Sequence, residues 1–396
     1  MISARLRALI RCPADRGPLA ADAAGALVCG VCGTRYAQSS PDWIDLRPDT
    51  AFAEQTKYLD EALHQDARHE SVSPPLLQSG VRQRQLRRFL RLGPGDLVID
   101  LGCGSGRSML WNAASGAAFI GVDVSPFFAQ EARAQADLAL GDLRRLPFAD
   151  GTFTKAYALD VLEHLSPEAL DAMLAEAARV LAPGGVLFVY SHVRKNAPIA
   201  KGLRAINALA RGLERVGLID MTQERLRKSD HLNPLRDVPH LEAVVARAGF
   251  RIARIRYYTP IVGGFVENIL MRMAERALAR RADRKRGTTA TTATAATAAA
   301  SAATADDGAA GLRDARTSAK ARLARGGPLL RVLQGVTIAM DADLWLFGRI
   351  RSGPFFALLE KSGALLEKDA NNAHLPTANS QGNSQTPNSQ AGTFRS

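Results

Sequence analysis

The sequence predicts an α/β fold built on a doubly wound, mostly parallel sheet, and three observations predict it. Apolar runs at 96–100, 118–122, 154–159 and 185–191 are continuous or nearly so, as strands buried on both faces are. Helical patterns near 107–115, 126–135 and 167–181 fill the gaps, and such alternation winds helices onto both faces of a parallel sheet. A glycine-rich turn follows the first of these strands, and ligands of such sheets bind outside the carboxyl ends of the strands.

The turn runs Val98-Ile99-Asp100-Leu101-Gly102-Cys103-Gly104-Ser105-Gly106-Arg107. It needs glycine because the backbone takes φ values that a Cβ resists and because a ligand comes close to the main chain. The next strand ends in Asp123, and an acid about 20 residues beyond the first turn suits a ribose diol. The dinucleotide fingerprint G-x-G-x-x-G fails, since its third glycine falls on Arg107. The pattern is D-x-G-x-G-x-G. Gly141-Asp142-Leu143 precedes Leu146-Pro147-Phe148, Asp160-Val161-Leu162-Glu163-His164-Leu165 follows the next long strand, and Arg179-Val180-Leu181-Ala182-Pro183-Gly184-Gly185 leads into another.

On these residues, over roughly 80 to 260, the chain resembles the class I S-adenosylmethionine-dependent methyltransferases, in particular the type 11 group. The resemblance implies a seven-stranded Rossmann-like sheet with its last strand antiparallel, and S-adenosyl-L-methionine as cofactor. It implies that Asp100, Gly102, Gly104 and Gly106 cradle the methionyl part. Asp123 accepts from the ribose hydroxyls, with Val124 beside it in the cofactor-binding set, and Asp142 accepts from the adenine amino group with Leu143 against the ring. Asp160 completes the implied cofactor-binding set, at the end of the fourth strand near the transferred methyl.

Residues 1 to 48 read as a separate small β-ribbon. Cys12 and Asp15 face a later Cys29-Gly30-Val31-Cys32 knuckle, whose tight turn points both thiolates at one ion. This segment resembles the small zinc-ribbon proteins that partner or precede some RNA and translation-factor methyltransferases. The resemblance implies structural zinc on Cys12, Asp15, Cys29 and Cys32, with aspartate where cysteine is the commoner ligand; a metal-free ribbon is the alternative. Residues 49 to 80 read as a helical lid or connector that breaks at Ser73-Pro74-Pro75. Val81 to Leu92 is an amphipathic helix, with Leu86, Phe89 and Leu90 inward and Arg82, Arg84, Arg87, Arg88 and Arg91 on a solvated face.

Beyond the core, 194 to 240 is basic and irregular, with helices expected at 199–216 and 221–228; in the resembled family this region selects the acceptor. A helix at 241–248 stops at Gly249, and a strand follows over 251–258. Val262, Phe265, Val266, Ile269, Leu270, Met273 and Ala277 form one apolar helical face with bases crowding its end. Gly287 to Ala310 is a threonine–alanine tract that has nothing to build a core with and is expected to be a disordered insertion inside an 81–365 domain. Leu329 to Phe347 reads as helical and Gly353 to Leu359 as a strand, which the resemblance implies is the seventh, antiparallel one. The Asn/Gln/Ser-rich tail over 366–396 is expected to be disordered.

The composition narrows the function. With 396 residues the chain holds one large domain or two. No stretch reaches the ~18 apolar residues of a spanning helix, and the start does not read as a signal peptide. Four cysteines argue for a reducing compartment, hence a cytoplasmic protein. The bases of 272–286 and 313–325 supply most of the net charge of +12. Methyl transfer from a sulfonium is an in-line displacement needing positioning and exclusion of water, plus a base where the acceptor loses a proton. His192, His164 and His231 are the candidates, His192 foremost at the end of a central strand. The chain lacks an Asn/Asp-Pro-Pro-Tyr run and a Pro-Cys after the fourth strand, which disfavours amino-directed adenine and cytosine-C5 acceptors. A small-molecule, lipid or quinone-like acceptor is the leading expectation. The basic-flanked apolar stretch adds peripheral contact with an anionic surface at the inner membrane face, against the plainer reading that it packs on the sheet. An RNA methyltransferase gripping rRNA or tRNA through the ribbon and basic patches is the alternative, and a non-catalytic scaffold the second.

Overall fold

The computed structural model describes residues 2–47, 72–194, 200–219, 231–258 without 233, 262–280 without 275, 278 and 279, residue 323, and 325–362 without 352. The expected lid is thus described only from residue 72, and the helix at 221–228, the insertion at 287–310 and the tail at 366–396 lie outside the described residues.

The chain opens with helix α1 (Ala4–Leu9) and a three-stranded antiparallel sheet of β1 (Leu19–Ala21), β2 (Leu27–Cys29) and β3 (Arg35–Tyr36). Strand β4 (Ile44–Asp45) follows, then helix α2 (Leu77–Leu90). The alternating core comprises β5 (Leu97–Leu101), α3 (Arg107–Asn112), β6 (Ala118–Asp123), α4 (Gln130–Gln135), β7 (Asp137–Leu140), β8 (Phe153–Leu159), α5 (Pro167–Val180) and β9 (Leu181–His192). After α6 (Ala200–Arg215) come α7 (Val238–Arg247), β10 (Phe250–Tyr257), α8 (Val262–Phe265), α9 (Pro328–Phe347) and β11 (Pro354–Lys361).

The main sheet has the order β10-β11-β9-β8-β5-β6-β7-β4. The seven expected strands are all there, and β11 is the antiparallel one, paired with β9 on one side and β10 on the other. An eighth strand, β4, joins β7 in parallel with Ile44 opposite Ala139. The ribbon segment therefore ends as an edge strand of the large sheet. Its Leu6, Ile10, Cys12, Tyr36 and Ile44 share one apolar core with Leu101, Phe148 and Leu174.

Strand order reverses beside β5, where β6 lies on one flank and β8 on the other. That reversal opens a crevice at the carboxyl ends of β5 and β8. One face of the sheet is covered by α5 and α7, the other by α2, α3 and α9. Helix α5 starts where Ser166 accepts the Ala169 N–H at 3.2 Å, with Pro167 in the first turn. Asp237 caps α7 in the same way through His240 N–H, at 3.0 Å.

Three expectations are corrected. The helix expected at 126–135 begins only at Gln130, because Ala129 gives its N–H to Ser105 O in the glycine turn at 3.0 Å. The arginine face of α2 is not simply solvated. Arg88 and Gln85 bind the buried Asp341 of α9 at 2.8 and 2.7 Å, Thr337 Oγ1 accepts the Leu77 N–H, and Arg82 turns to the crevice. The apolar face of 262–277 is split: Val266 and Ile269 are buried, whereas Phe265, Leu270 and Met273 are exposed. A π-helical turn over Val266–Leu270 inserts the register change that divides them.

Candidate active site

The crevice is assembled from backbone first. Gly102, Gly104 and Gly106 all have left-handed φ, at +75°, +53° and +78°, which the sequence supplies through residues without a Cβ. Two are crowded: a Cβ on Gly102 would meet Val161 Cγ2 at 2.6 Å, and one on Gly106 would meet Ala132 Cβ at 2.7 Å. Gly104 differs, because a Cβ there would have nothing within 4 Å. Gly102 and Gly106 thus let elements close on each other, and Gly104 borders open space.

Asp123, at the tip of β6, ties the turn to its strand. Its Oδ2 accepts the Gly104 N–H at 2.7 Å, and its Oδ1 accepts the Ser125 N–H at 2.9 Å and hydroxyl at 2.8 Å. A ribose hydroxyl is left the remaining lone pair of Oδ2. Asp142 is similarly engaged, with both oxygens on the Arg144 guanidinium at 2.9–3.0 Å, so an adenine amino group competes with Arg144. Leu143 packs at the edge of the core, and Val124 offers its carbonyl to Arg47 at 3.4 Å. Asp100 is 2% exposed, and its Oδ2 has no hydrogen-bond partner among the described residues. Burial first, and the Asp123 carboxylate next to it, push Asp100 up to about 8.

These features fit S-adenosylmethionine, whose sulfonium and ammonium are cationic. Two neighbouring carboxyl groups, the buried one raised in pKa and carrying an unpartnered oxygen, would both be better satisfied beside a cation, and the open space at Gly104 admits a ligand to the main chain.

Across the crevice the side chains take over. Asp160 sits at the end of β8 with φ +57°, a strained value for a non-glycine residue, and its N–H bonds Tyr190 O at 3.1 Å. Its carboxylate pairs with Arg82, whose guanidinium lies 4.3 Å from the centre of the Tyr190 ring. The turn Leu162–His164 follows. Glu163 is 2% exposed; its Oε2 accepts the Ser191 hydroxyl at 2.8 Å, and its Oε1 lies 3.4 Å from His192 Nδ1. Burial, then repulsion from Asp160, push Glu163 up to about 8. The three expected histidines do converge: ring centres of His164 and His231 are 4.7 Å apart, and those of His192 and His231 are 5.8 Å apart. His240 instead stands in the first turn of α7.

Sequence reasoning missed Arg82, Tyr190, Ser191 and the burial of Glu163. Only Glu163 had a signal, an acid inside the apolar run after the fourth core strand.

A second cluster lies in the ribbon. Cys12, Asp15, Cys29 and Cys32 bring one ligand atom each within 4.8 Å of one another. Cys12 Sγ is 3.7 Å from Cys32 Sγ, and Asp15 Oδ1 is 3.2 Å from Cys29 Sγ. Tetrahedral zinc with Zn–S bonds of ~2.3 Å spaces its sulfurs by about 3.8 Å, so the donor set fits that ion.

A doubly wound sheet with a glycine-lined crevice at its switch point is the arrangement on which nucleotide-type ligands bind. Residues 98–185 match the family described as a methyltransferase domain, and this part of the chain is a class I S-adenosylmethionine-dependent methyltransferase domain. Among curated relatives, an uncharacterized methyltransferase of Synechocystis sp. is 35% identical over 100 residues, covering 24% of this chain and 47% of that protein. A demethylmenaquinone methyltransferase of Tropheryma whipplei is 36% identical over 129 residues, covering 30% and 52%. The chain spans about half the length of the curated relatives it matches. Among solved structures, Haemonchus contortus phosphoethanolamine N-methyltransferase 2 with S-adenosyl-L-methionine matches with a TM-score of 0.43 and 16% identity, over 78% of this chain and 59% of that one. The strand order, not this likeness, is what fixes the fold.

Proposed function

We propose that this chain transfers a methyl group from S-adenosylmethionine to a small-molecule or lipid-like acceptor of the quinone kind. The observation that carries the reading is the juxtaposition at the switch point: an anionic crevice under Gly104 faces a cluster of Asp160, Glu163, His164, His192 and His231. When bound, the cofactor supplies an activated methyl group. The residues of the chain then have separate roles. Asp100 and Asp123 complement positive charge. Arg82 and Tyr190 fix Asp160 beside the glycine turn. His192, with Nδ1 towards Glu163, takes a proton from the acceptor at Nε2. The T. whipplei relative, named for a demethylmenaquinone, supports an acceptor of that chemistry. The test is methyl transfer from labelled S-adenosylmethionine to a demethylated quinone, a phenol and total RNA, with Asp123→Ala alongside. Label in the quinone or phenol, lost in the variant, is expected; label in RNA alone overturns the acceptor assignment.

The same proposal extends to the periphery of the molecule. No helix among the described residues is long and apolar enough to cross a membrane. The exposed Phe265, Leu270, Met273, Trp345, Leu346 and Ile350 beside Arg349 and Arg351 support contact with an anionic bilayer surface. Flotation with anionic vesicles at low salt tests it, and absence of binding removes it. The ribbon cluster supports a structural zinc, tested by metal content of the purified protein and by a fall in Tm on chelation that a Cys29→Ser variant no longer shows.

A further inference from the structure

The acid–imidazole cluster beside Asp160 has more in it than a proton acceptor. Glu163, His164 and His231 each bring one ligand atom to within 4.8 Å of the others. Two of them lie on one short turn, but His231 comes from a segment 67 residues further on, just before α7. Local geometry alone does not bring these three together; the tertiary fold does.

We infer that Glu163, His164 and His231 bind a divalent first-row cation. The donor set is two imidazoles and one carboxylate, which suits Mn, Fe, Co, Ni or Zn and offers nothing to a soft ion. Three protein ligands leave coordination positions open, as catalytic rather than structural sites do. The carboxylate is held in place from behind. Ser191 donates to Glu163 Oε2 at 2.8 Å from a fully buried position on β9, and such an outer contact orients a ligand and raises affinity. The site also lies in the right place. Val161, between Asp160 and the turn, touches the position a Cβ would take on Gly102. A ligand on the cation is therefore next to the methyl-donor crevice.

The cation site stands without the methyl-transfer reading; its consequence for the acceptor rests on that reading. An oxygen acceptor, such as a phenol or a catechol-like diol, would fill the open positions, where the cation would supply Lewis acidity toward its hydroxyl. The hydroxyl proton would leave to solvent. The oxygen lone pair forms the new O–CH3 bond as the S–CH3 bond breaks, and its electron pair leaves on sulfur as a neutral thioether.

The experiment uses the full chain, stripped with chelator, and Mn2+ as the probe, because a thiol-rich ribbon selects softer ions. Loss of the free Mn2+ electron-paramagnetic-resonance signal counts bound ion. One site per chain is expected, retained in Cys29→Ser and weakened at least about tenfold in His231→Ala and Glu163→Gln. Ser191→Ala is expected to lower affinity about tenfold, the lower end of the range for outer-shell contacts. Metal-free melting curves show that each variant is folded, and His231→Ala is the decisive one where Glu163→Gln unfolds. Equal affinity in folded His231→Ala, or no binding by the wild type at millimolar Mn2+, overturns the site. Calorimetric binding of S-adenosylmethionine, measured in parallel, is expected to be unchanged in His231→Ala; its absence from the wild type sinks the methyl-transfer reading and leaves the cation site intact.

Discussion

The two walls of the crevice are built on different principles. The wall we propose for the donor, Asp100 to Asp123, is one turn and the strand after it, and backbone geometry holds it: three left-handed glycines, and amide donors on Asp123. The wall we propose for the acceptor draws Arg82 from α2, Asp160 and Glu163 from the end of β8, Ser191 and His192 from β9, and His231 from the segment before α7. Side-chain polar contacts hold it, each between residues distant in sequence. A backbone-built wall tolerates little change at a few positions. A side-chain wall can be altered residue by residue while the fold survives.

The largest expected effect concerns Asp100, whose carboxyl is raised from 3.8 to about 8. A carboxyl raised on folding contributes stability that is fully present below its unfolded pKa and lost as pH rises through the folded one. Wild type is therefore expected to lose stability relative to Asp100→Asn between pH 4 and 8, at no more than about 1.4 kcal/mol per pH unit, with no further loss above. Denaturant unfolding of both proteins across that window checks it; a pH-independent difference contradicts the buried-acid account.

Gly102→Ala comes next. The left-handed φ and the 2.6 Å approach to Val161 Cγ2 together are expected to cost about 2–4 kcal/mol of unfolding free energy. Gly104→Ala, strained but uncrowded, is expected to cost only about 1 kcal/mol, yet to weaken S-adenosylmethionine binding more than that figure implies. Equal stability losses at the two glycines would break the distinction between packing and ligand approach. On the acceptor wall, Arg82→Met is expected to raise the acceptor KM while the S-adenosylmethionine Kd stays within about twofold, at a stability cost of about 1 kcal/mol or less. The KM and Kd measurements together sharpen the contrast between the walls.

Much of the donor wall was legible because its causes are contiguous. A residue without a Cβ is visible where φ must be positive, and an acid at the end of an apolar run is visible as the tip of a strand. The strands of the alternating core were legible because strand and helix periods differ, whereas the antiparallel direction of β11 was expected only from the family resemblance. The acceptor wall was legible only as three scattered histidines. Nothing near Arg82 distinguishes it from the other arginines of α2, and only the approach of β8 turns it into the partner of Asp160. The edge strand Ile44–Asp45 is too short to carry a period and exists because β7 offers it an open edge.

The alternating strands and helices, the glycine turn and the acids Asp100 and Asp123 are written in local pattern, because sterics and hydrophobic period are properties of neighbouring residues. Folding in three dimensions adds that Asp123 and Asp142 already bind protein donors, that Glu163 is buried against Ser191, and that His231 meets His164. Those contacts join residues between 2 and 67 positions apart, and the energies that choose among them come from packing and desolvation, which no local pattern encodes.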